Sequence, residues 1–287
     1  MRDSSERQYT REWLQRERPQ PMYDNSINLF YSEFFTKSPI EIEGLDQLFK
    51  DRYVAWLKAH DLNSFRGLDA FKRVDVIHGV TQFIDDLYMR TEGKLMVLEG
   101  DYKYHWRLNN DIVYTSLEKL FYEDRELLIS VPFPKVGDVH PDMKMILDEC
   151  AELDIPVHID AAWCSACRDI DFDFNHPAIQ TIGFSLSKGG LGGNRIGVRL
   201  SRIKPEGAIT IMNDFNMNPQ SLMALGIAFM DKFGTEYFWK KYGEAYTQVC
   251  KDFNLTPTKS IHLALDGSTP VGVRPLLRAL TSSQRRS

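Results

Sequence analysis

No apolar run in this 287-residue chain reaches the roughly 18 residues that cross a bilayer. The opening stretch MRDSSERQYTREW is polar and charged where a secretory leader carries an apolar segment. Together these absences make a cytoplasmic protein the expectation. Basic charge is in short supply too: 35 Lys and Arg stand against 40 Asp and Glu, for a net charge of −5. The basic residues are scattered, apart from an RR pair in the terminal TSSQRRS. A nucleic-acid surface needs a basic stripe to neutralise phosphates, so none is expected. Cysteine is sparse, at 150, 164, 167 and 250, which is too few and too irregular for a disulfide framework. Cys164 and Cys167 make one CxxC, but the second CxxC or CxxH of a zinc site is missing, and no metal is expected. Two small residues packing after a strand is the simpler reading of that pair. The glycine-rich GGLGG at 189 to 193 lacks the spacing of GxxxxGKS or GxGxxG, the loops that bind nucleotides.

What remains is the composition of an ordinary globular chain, 43% apolar and 26% charged. Its length suits one large domain with a smaller companion. Apolar residues recur at helical spacing over 45–59 and 80–91, and short apolar runs occupy 95–98, 127–131, 155–159 and 179–185. A helix over 141–152, with proline in its first turn, separates two of those runs. Alternation of this kind implies an α/β fold of three layers, αβα, around a mainly parallel central sheet. Beyond about residue 213 the texture changes to helices over 219–232 and 235–251, then strands over 260–265 and 271–274 around a DGSTP turn. The expected division is an arm over 1–44, a large domain over 45–212, and a connecting helix with a small α+β domain over 213–287.

The chemistry concentrates between His158 and Leu200. Asp160 ends an apolar strand, Lys188 follows 28 residues later beside Ser185 and Ser187, and Arg195 stands seven residues beyond the lysine. Taken singly, each is commonplace: a strand-end carboxylate caps or pairs, and a lysine in a glycine-rich loop is solvated. Together they are the parts needed to hold a phosphorylated, positively charged ring. A lysine that bonds an aldehyde must lie near neutrality, and a buried carboxylate keeps a ring nitrogen protonated. Phosphate anchors complete the set: hydroxyls, a guanidinium, and the amides at a helix start, supplied here by Gly79, Val80 and Thr81.

The motif SLSKGGLGGNRIG resembles the lysine motif of fold-type I pyridoxal phosphate enzymes, specifically the aspartate aminotransferase family, and HIDAAW is similar to their aspartate motif. In the same order, HGVTQFIDD is similar to the phosphate-cup segment and GDYKYH to the segment carrying the ring-stacking aromatic. The resemblance implies that Lys188 is the Schiff-base lysine and proton shuttle and that Asp160 partners the pyridine nitrogen. Ser185, Ser187, Arg195, Gly79 and the amides of Val80 and Thr81 would hold the phosphate. Tyr102 would stack on the ring, with His105 behind the aspartate. Trp163 replaces a tyrosine that bonds the ring hydroxyl, and an indole donates without accepting. Arg274, or failing it Arg278, would grip a substrate carboxylate through its planar fork. A homodimer with sites between subunits is implied as well.

Three departures accompany the likeness. The stretch VPFPKVGDVH contains no asparagine where the family's NPTG motif has one. The loop from Lys188 to Arg195 is one residue shorter than the family pattern. Only 99 residues follow Lys188, fewer than the family's small domain occupies. The leading expectation is an aminotransferase dependent on pyridoxal 5'-phosphate that exchanges an amino group between an amino acid and a 2-keto acid. A lyase or decarboxylase using the same cofactor residues is an alternative, since HIDAAW is also similar to a string in group II decarboxylases. A noncatalytic homologue that keeps the cofactor for binding or regulation is another.

Overall fold

The computed structural model describes residues 13–14, 25–37, 43–122 and 124–277. Most of the expected arm, Arg278 and the terminal RR pair lie outside the described residues. The first strands are β1 (Ser64–Arg66), β2 (Arg73–Ile77), β3 (Leu95–Leu98), β4 (Val113–Thr115) and β5 (Glu126–Ser130). They are followed by β6 (Val157–Ala161), β7 (Asp171–Asp173), β8 (Ile179–Ser185) and β9 (Gly197–Ser201). Seven of these form one sheet in the order β2-β9-β8-β6-β5-β3-β4, while β1 and β7 pair separately. Every pairing from β8 to β4 is parallel, and β9 runs antiparallel to both β2 and β8. The mainly parallel sheet expected from the alternation is therefore present, with one reversed strand inserted near an edge.

The residues of β3, β6 and β9 are buried throughout, as strands covered on both faces require. Helix Val80–Arg90 turns Val80, Phe83, Ile84 and Leu87 inward. It comes so close to β8 that a Cβ on Gly183 would meet the Phe83 ring at 2.7 Å. Helix Gln220–Lys232 approaches helix Leu45–Lys58 in the same way, where a Cβ on Gly226 would lie 2.7 Å from Phe49.

Several expected boundaries move. The run at 155–159 becomes a strand only at Val157, because Asp154 turns the chain at φ 55 and the imide nitrogen of Pro156 has no hydrogen to give the ladder. The shift brings Asp160 into register with Ser130 on one side and Gly183 on the other. The helix expected from 141 begins at Met143, which leaves Pro141 outside it. The C-terminal strands shift from the expected 260–265 and 271–274 to β11 (Leu263–Asp266) and β12 (Thr269–Gly272), turning at Gly267 with φ 62, and β10 (Thr256–Pro257) joins them in an antiparallel trio. Between the sheet and this trio the helices expected over 219–232 and 235–251 are present as Gln220–Lys232 and Tyr237–Asp252, and a further helix, Ala208–Asp214, precedes them. No helix among the described residues is long and apolar enough to cross a membrane.

Candidate active site

The carboxyl ends of β3, β5, β6 and β8 lie along one edge of the sheet, where ligands of open α/β sheets bind. A cavity of about 160 Å³ opens there. Val80, Thr81, Tyr102, Asp160, Trp163, Ser185, Ser187, Lys188 and Arg195 line it, together with Ile84, Ala162 and Gly192. These residues come from four separated segments that the sheet order brings together.

One wall is an anion cradle. Helix Val80–Arg90 starts at the cavity and directs its first amides inward, where a helix has no backbone acceptors of its own. Gly79 precedes it at φ 75, a conformation that side chains with a Cβ rarely adopt. A Cβ there would also lie 2.8 Å from the Arg195 guanidinium. That guanidinium donates to the Thr81 hydroxyl and, through Nε, to the His78 carbonyl at 3.3 Å. Opposite, Ser185 Oγ donates to Ser187 Oγ at 3.0 Å and accepts the Ser187 amide at 3.1 Å. Hydroxyls, helix amides and a guanidinium thus converge on one spot.

Lys188 sits in a wide helical turn, Ser187–Leu191, of the kind that recurs at functional sites. Gly190 in that turn takes φ 140, and its carbonyl accepts the Tyr31 hydroxyl at 2.5 Å. The Lys188 carbonyl faces His262 Nε2 at 3.0 Å, and the His262 ring meets the Trp163 ring edge-on at 5.4 Å. The Lys188 ammonium lies 4.6 Å from the centre of the Trp163 indole. What Trp163 offers in this geometry is therefore its π face to the amine. Burial lowers the Lys188 pKa to about 8, with Asp160 opposing and Arg195 and Arg274 reinforcing the shift. We therefore expect acylation of Lys188 by a small amine reagent to rise through an inflection near pH 8, read by peptide mass mapping. Surface lysines titrate near 10.4 and serve as the internal comparison.

Asp160 has both oxygens engaged: Oδ1 accepts the Ala162 amide at 2.9 Å, and Oδ2 lies 2.8 Å from His105 Nε2. His105 is fully buried behind it and does not line the cavity. Tyr102 is 40% exposed, and its ring stands edge-on to His105 at 5.5 Å. Arg274, half-buried in the last described turn, stays out of the cavity lining while its charge reaches Lys188. The CxxC pair is spent locally: Cys164 Sγ donates to the Val131 carbonyl and Cys167 Sγ to that of Trp163. Burial pushes both thiols far up, which suits packing better than reactivity.

Sequence reasoning missed four residues that brace this site: Asp101, Ser130, Tyr31 and His262. Asp101 and His105 stand four apart in DYKYH, a spacing that puts both on one helical face and was readable as a pair. Nothing local marks the other three.

No protein-family model matches the sequence, and neither does any curated protein. Solved structures do match in shape. A PLP-bound C-S lyase from Staphylococcus hominis is 14% identical, over 86% of this chain and 74% of that one, with a TM-score of 0.66. The histidinol-phosphate aminotransferase of Clostridium acetobutylicum is 12% identical over 94% and 99%, with a TM-score of 0.63. A probable N-succinyldiaminopimelate aminotransferase from Thermus thermophilus is 11% identical over 94% of each chain, with a TM-score of 0.61. With its mostly parallel sheet flanked by helices, the chain has the fold of the fold-type I pyridoxal phosphate enzymes.

Proposed function

We propose that this protein binds pyridoxal 5'-phosphate and transfers an amino group between an amino acid and a 2-keto acid. The observation that carries the reading is the one cavity in which a pKa-lowered lysine, a carboxylate backed by imidazole and an anion cradle face one another. The residues fit the cofactor group by group. Arg195, Thr81, Ser185, Ser187 and the amides beside Gly79 match a phosphate, and a side chain at Gly79 would fill the cradle. Asp160, acceptor-only when ionised, matches a protonated ring nitrogen, and Lys188 matches the aldehyde. When bound, the cofactor supplies an electrophilic carbon and a ring that takes up electron density from the substrate's α-carbon.

The chain's own residues then have distinct tasks. Asp160 holds a proton at the ring nitrogen. Lys188, whose pKa burial lowers to about 8, releases its proton more readily than an ordinary lysine and serves both to take and to return the α-proton. Tyr102 covers the ring face, and Trp163 lies against the lysine amine. Arg274 grips the substrate carboxylate, so that the positive charge it sets near Lys188 is neutralised when substrate arrives. The large cofactor domain spans 45–212, and the smaller unit over 213–287 contributes Arg274 and His262. A cytoplasmic homodimer with sites between subunits completes the proposal.

A lyase reading has one specific support, the C-S lyase among the structural neighbours. A single experiment separates the two. The purified protein is loaded with pyridoxal 5'-phosphate and mixed with a panel of amino acids in the absence of keto acid. Transamination converts the bound cofactor to the pyridoxamine form and yields one equivalent of 2-keto acid. Repeated turnover with release of a thiol or of carbon dioxide selects lysis or decarboxylation, and a protein that takes up no cofactor sinks both readings.

A further inference from the structure

Behind Asp160 lies a buried chain of charged groups reaching further than the aspartate and histidine already described. His105 Nε2 hydrogen-bonds Asp160 Oδ2 at 2.8 Å, while Nδ1, which makes no hydrogen bond among the described residues, lies in ion-pair contact with Asp101 Oδ1 at 3.4 Å. The side chains of His105 and Asp101 have no solvent exposure, and that of Asp160 is 5% exposed. Neutral imidazole has one N–H and one lone pair, so one nitrogen would turn a lone pair toward a carboxylate oxygen. Only the doubly protonated ring offers a proton to both carboxylates.

Asp101 is held as firmly as the ring it faces. Its oxygens accept the Tyr102 amide at 2.5 Å, the Ser130 amide at 2.9 Å and the Ser130 hydroxyl at 2.5 Å. Ser130 is in turn the register partner of Asp160 across β5 and β6, and the Val131 amide donates to the Asp160 carbonyl at 2.9 Å. Asp160 lies on β6 beside Ser130 on β5, while Asp101 follows β3 and His105 lies on the short helix Lys103–Arg107, so Ser130 ties Asp101 to the strand pair that carries Asp160. Water has no access to Asp101 or His105 and meets Asp160 only at the cavity.

We infer that Asp101 is a positioning residue that fixes His105 as an imidazolium and so holds the Asp160 carboxyl in place at the cavity. Its effect on a ring nitrogen rests on the function proposed above, whereas its effect on His105 does not. The balance of charge supports it. Burial works against a charged His105, but Asp101 and then Asp160 outweigh it and hold the pKa above its ordinary value. Burial likewise pushes Asp101 up, opposed by His105, the Ser130 hydroxyl and the two amides. The other titratable groups facing the chain are Lys188 and Cys164, both within electrostatic reach of Asp160, Tyr102, edge-on to the imidazole at 5.5 Å, and His140, within electrostatic reach of Asp101 and of Lys135. Burial lowers the pKa of His140, so it adds no competing charge at neutral pH.

The consequence is a division of labour. A lone buried aspartate would gain stability by taking a proton, and a protonated Asp160 can no longer receive one from a ring nitrogen. With a cation pinned behind it by Asp101, the Asp160 carboxyl has a fixed partner on the side away from the cavity.

The test is nitrogen-15 NMR of the histidine side chains in the full-length protein, with and without pyridoxal 5'-phosphate, in wild type and in Asp101→Asn. In wild type His105 carries protons on both nitrogens at pH 7.5, where an ordinary histidine, with a pKa of about 6.5, is mostly neutral. In Asp101→Asn it carries one, on Nε2, because an amide NH₂ can donate to Nδ1. Bound cofactor leaves that variant roughly tenfold faster, the scale seen when an outer partner of a ligating group is removed. A neutral His105 in wild type overturns the inference without any variant, as does an Asp101→Asn protein whose imidazole stays doubly protonated. Failure of the wild-type protein to take up cofactor overturns the proposed function and leaves the imidazolium result standing.

Discussion

Replacement of Lys188 by alanine is expected to cut the proposed amino transfer by about 10⁴-fold or more, because on that proposal one side chain supplies both the covalent anchor and the proton carrier. The surrounding loop does not depend on the amine. Its backbone carbonyls are held by side chains from outside the loop: that of Lys188 faces His262 Nε2, and that of Gly190 accepts the Tyr31 hydroxyl. The cation–π interaction between the Lys188 amine and Trp163, which alanine cannot make, is worth about 0.5–2 kcal/mol. Against it stands the cost of burying a charge: the Lys188 pKa falls from 10.5 to about 8, which corresponds to about 3 kcal/mol at neutral pH. The inactive variant should therefore be at least as stable as wild type at pH 7. The sign with pH follows from proton counting. Between about 8 and 10.5 the native state binds fewer protons at this site than the unfolded chain, so wild-type stability gains on the variant as pH rises through that window. Urea unfolding of both proteins at pH 7 and pH 10, beside single-turnover assays, reads both effects. A variant that keeps transferring amino groups refutes the assignment of Lys188.

How much of this was legible in the sequence depended on how local the signal was. Asp160 and Lys188 stand inside contiguous motifs, and the runs that carry them to the sheet edge, IPVHI and IQTIGFS, are apolar on both faces. Gly79 and Arg195 were legible only as motif members; their coupling, in which the guanidinium occupies the space a side chain would need, joins residues 116 apart. Ser130, Tyr31 and His262 braced the site unseen because each acts across the fold on residues far away in sequence, through contacts that leave no periodic trace. The strands β2 and β9 were missed for a different reason. Both carry charged residues, in RVDVI and GVRLS, that break the apolar run expected of a buried strand. Those charges are buried because they neutralise one another, a pairing that a single-strand pattern does not reveal.

That pairing carries the largest stability effect we expect. Arg199 has no exposure, yet its guanidinium meets Asp75 Oδ2 at 2.7 Å, Asp86 Oδ2 at 2.9 Å and the Thr210 hydroxyl at 2.8 Å. Arg199→Met keeps most of the volume and leaves two carboxylates facing a dry space. Breaking a buried pair from one side costs about 3–5 kcal/mol. Asp75 retains Arg73 at 2.8 Å, so most of the loss falls on Asp86, and the lower end of that range is the expected value. Asp86 is also the residue that docks the next helix, through Oδ1 to the Ile209 amide at 3.1 Å, while Asn213 bridges both backbone groups of Val76. Since Asp86 belongs to the same helix whose first turn forms the anion cradle, Arg199→Met should weaken phosphate binding as well as lower the unfolding midpoint. Substituting Asp75, Asp86 and Arg199 together by apolar residues of similar volume should recover most of the stability, because no charge is then left unpaired. Urea titrations of the single and triple variants distinguish this from simple loss of packing: a triple variant less stable than Arg199→Met alone would mean that the site tolerates charge better than hydrocarbon.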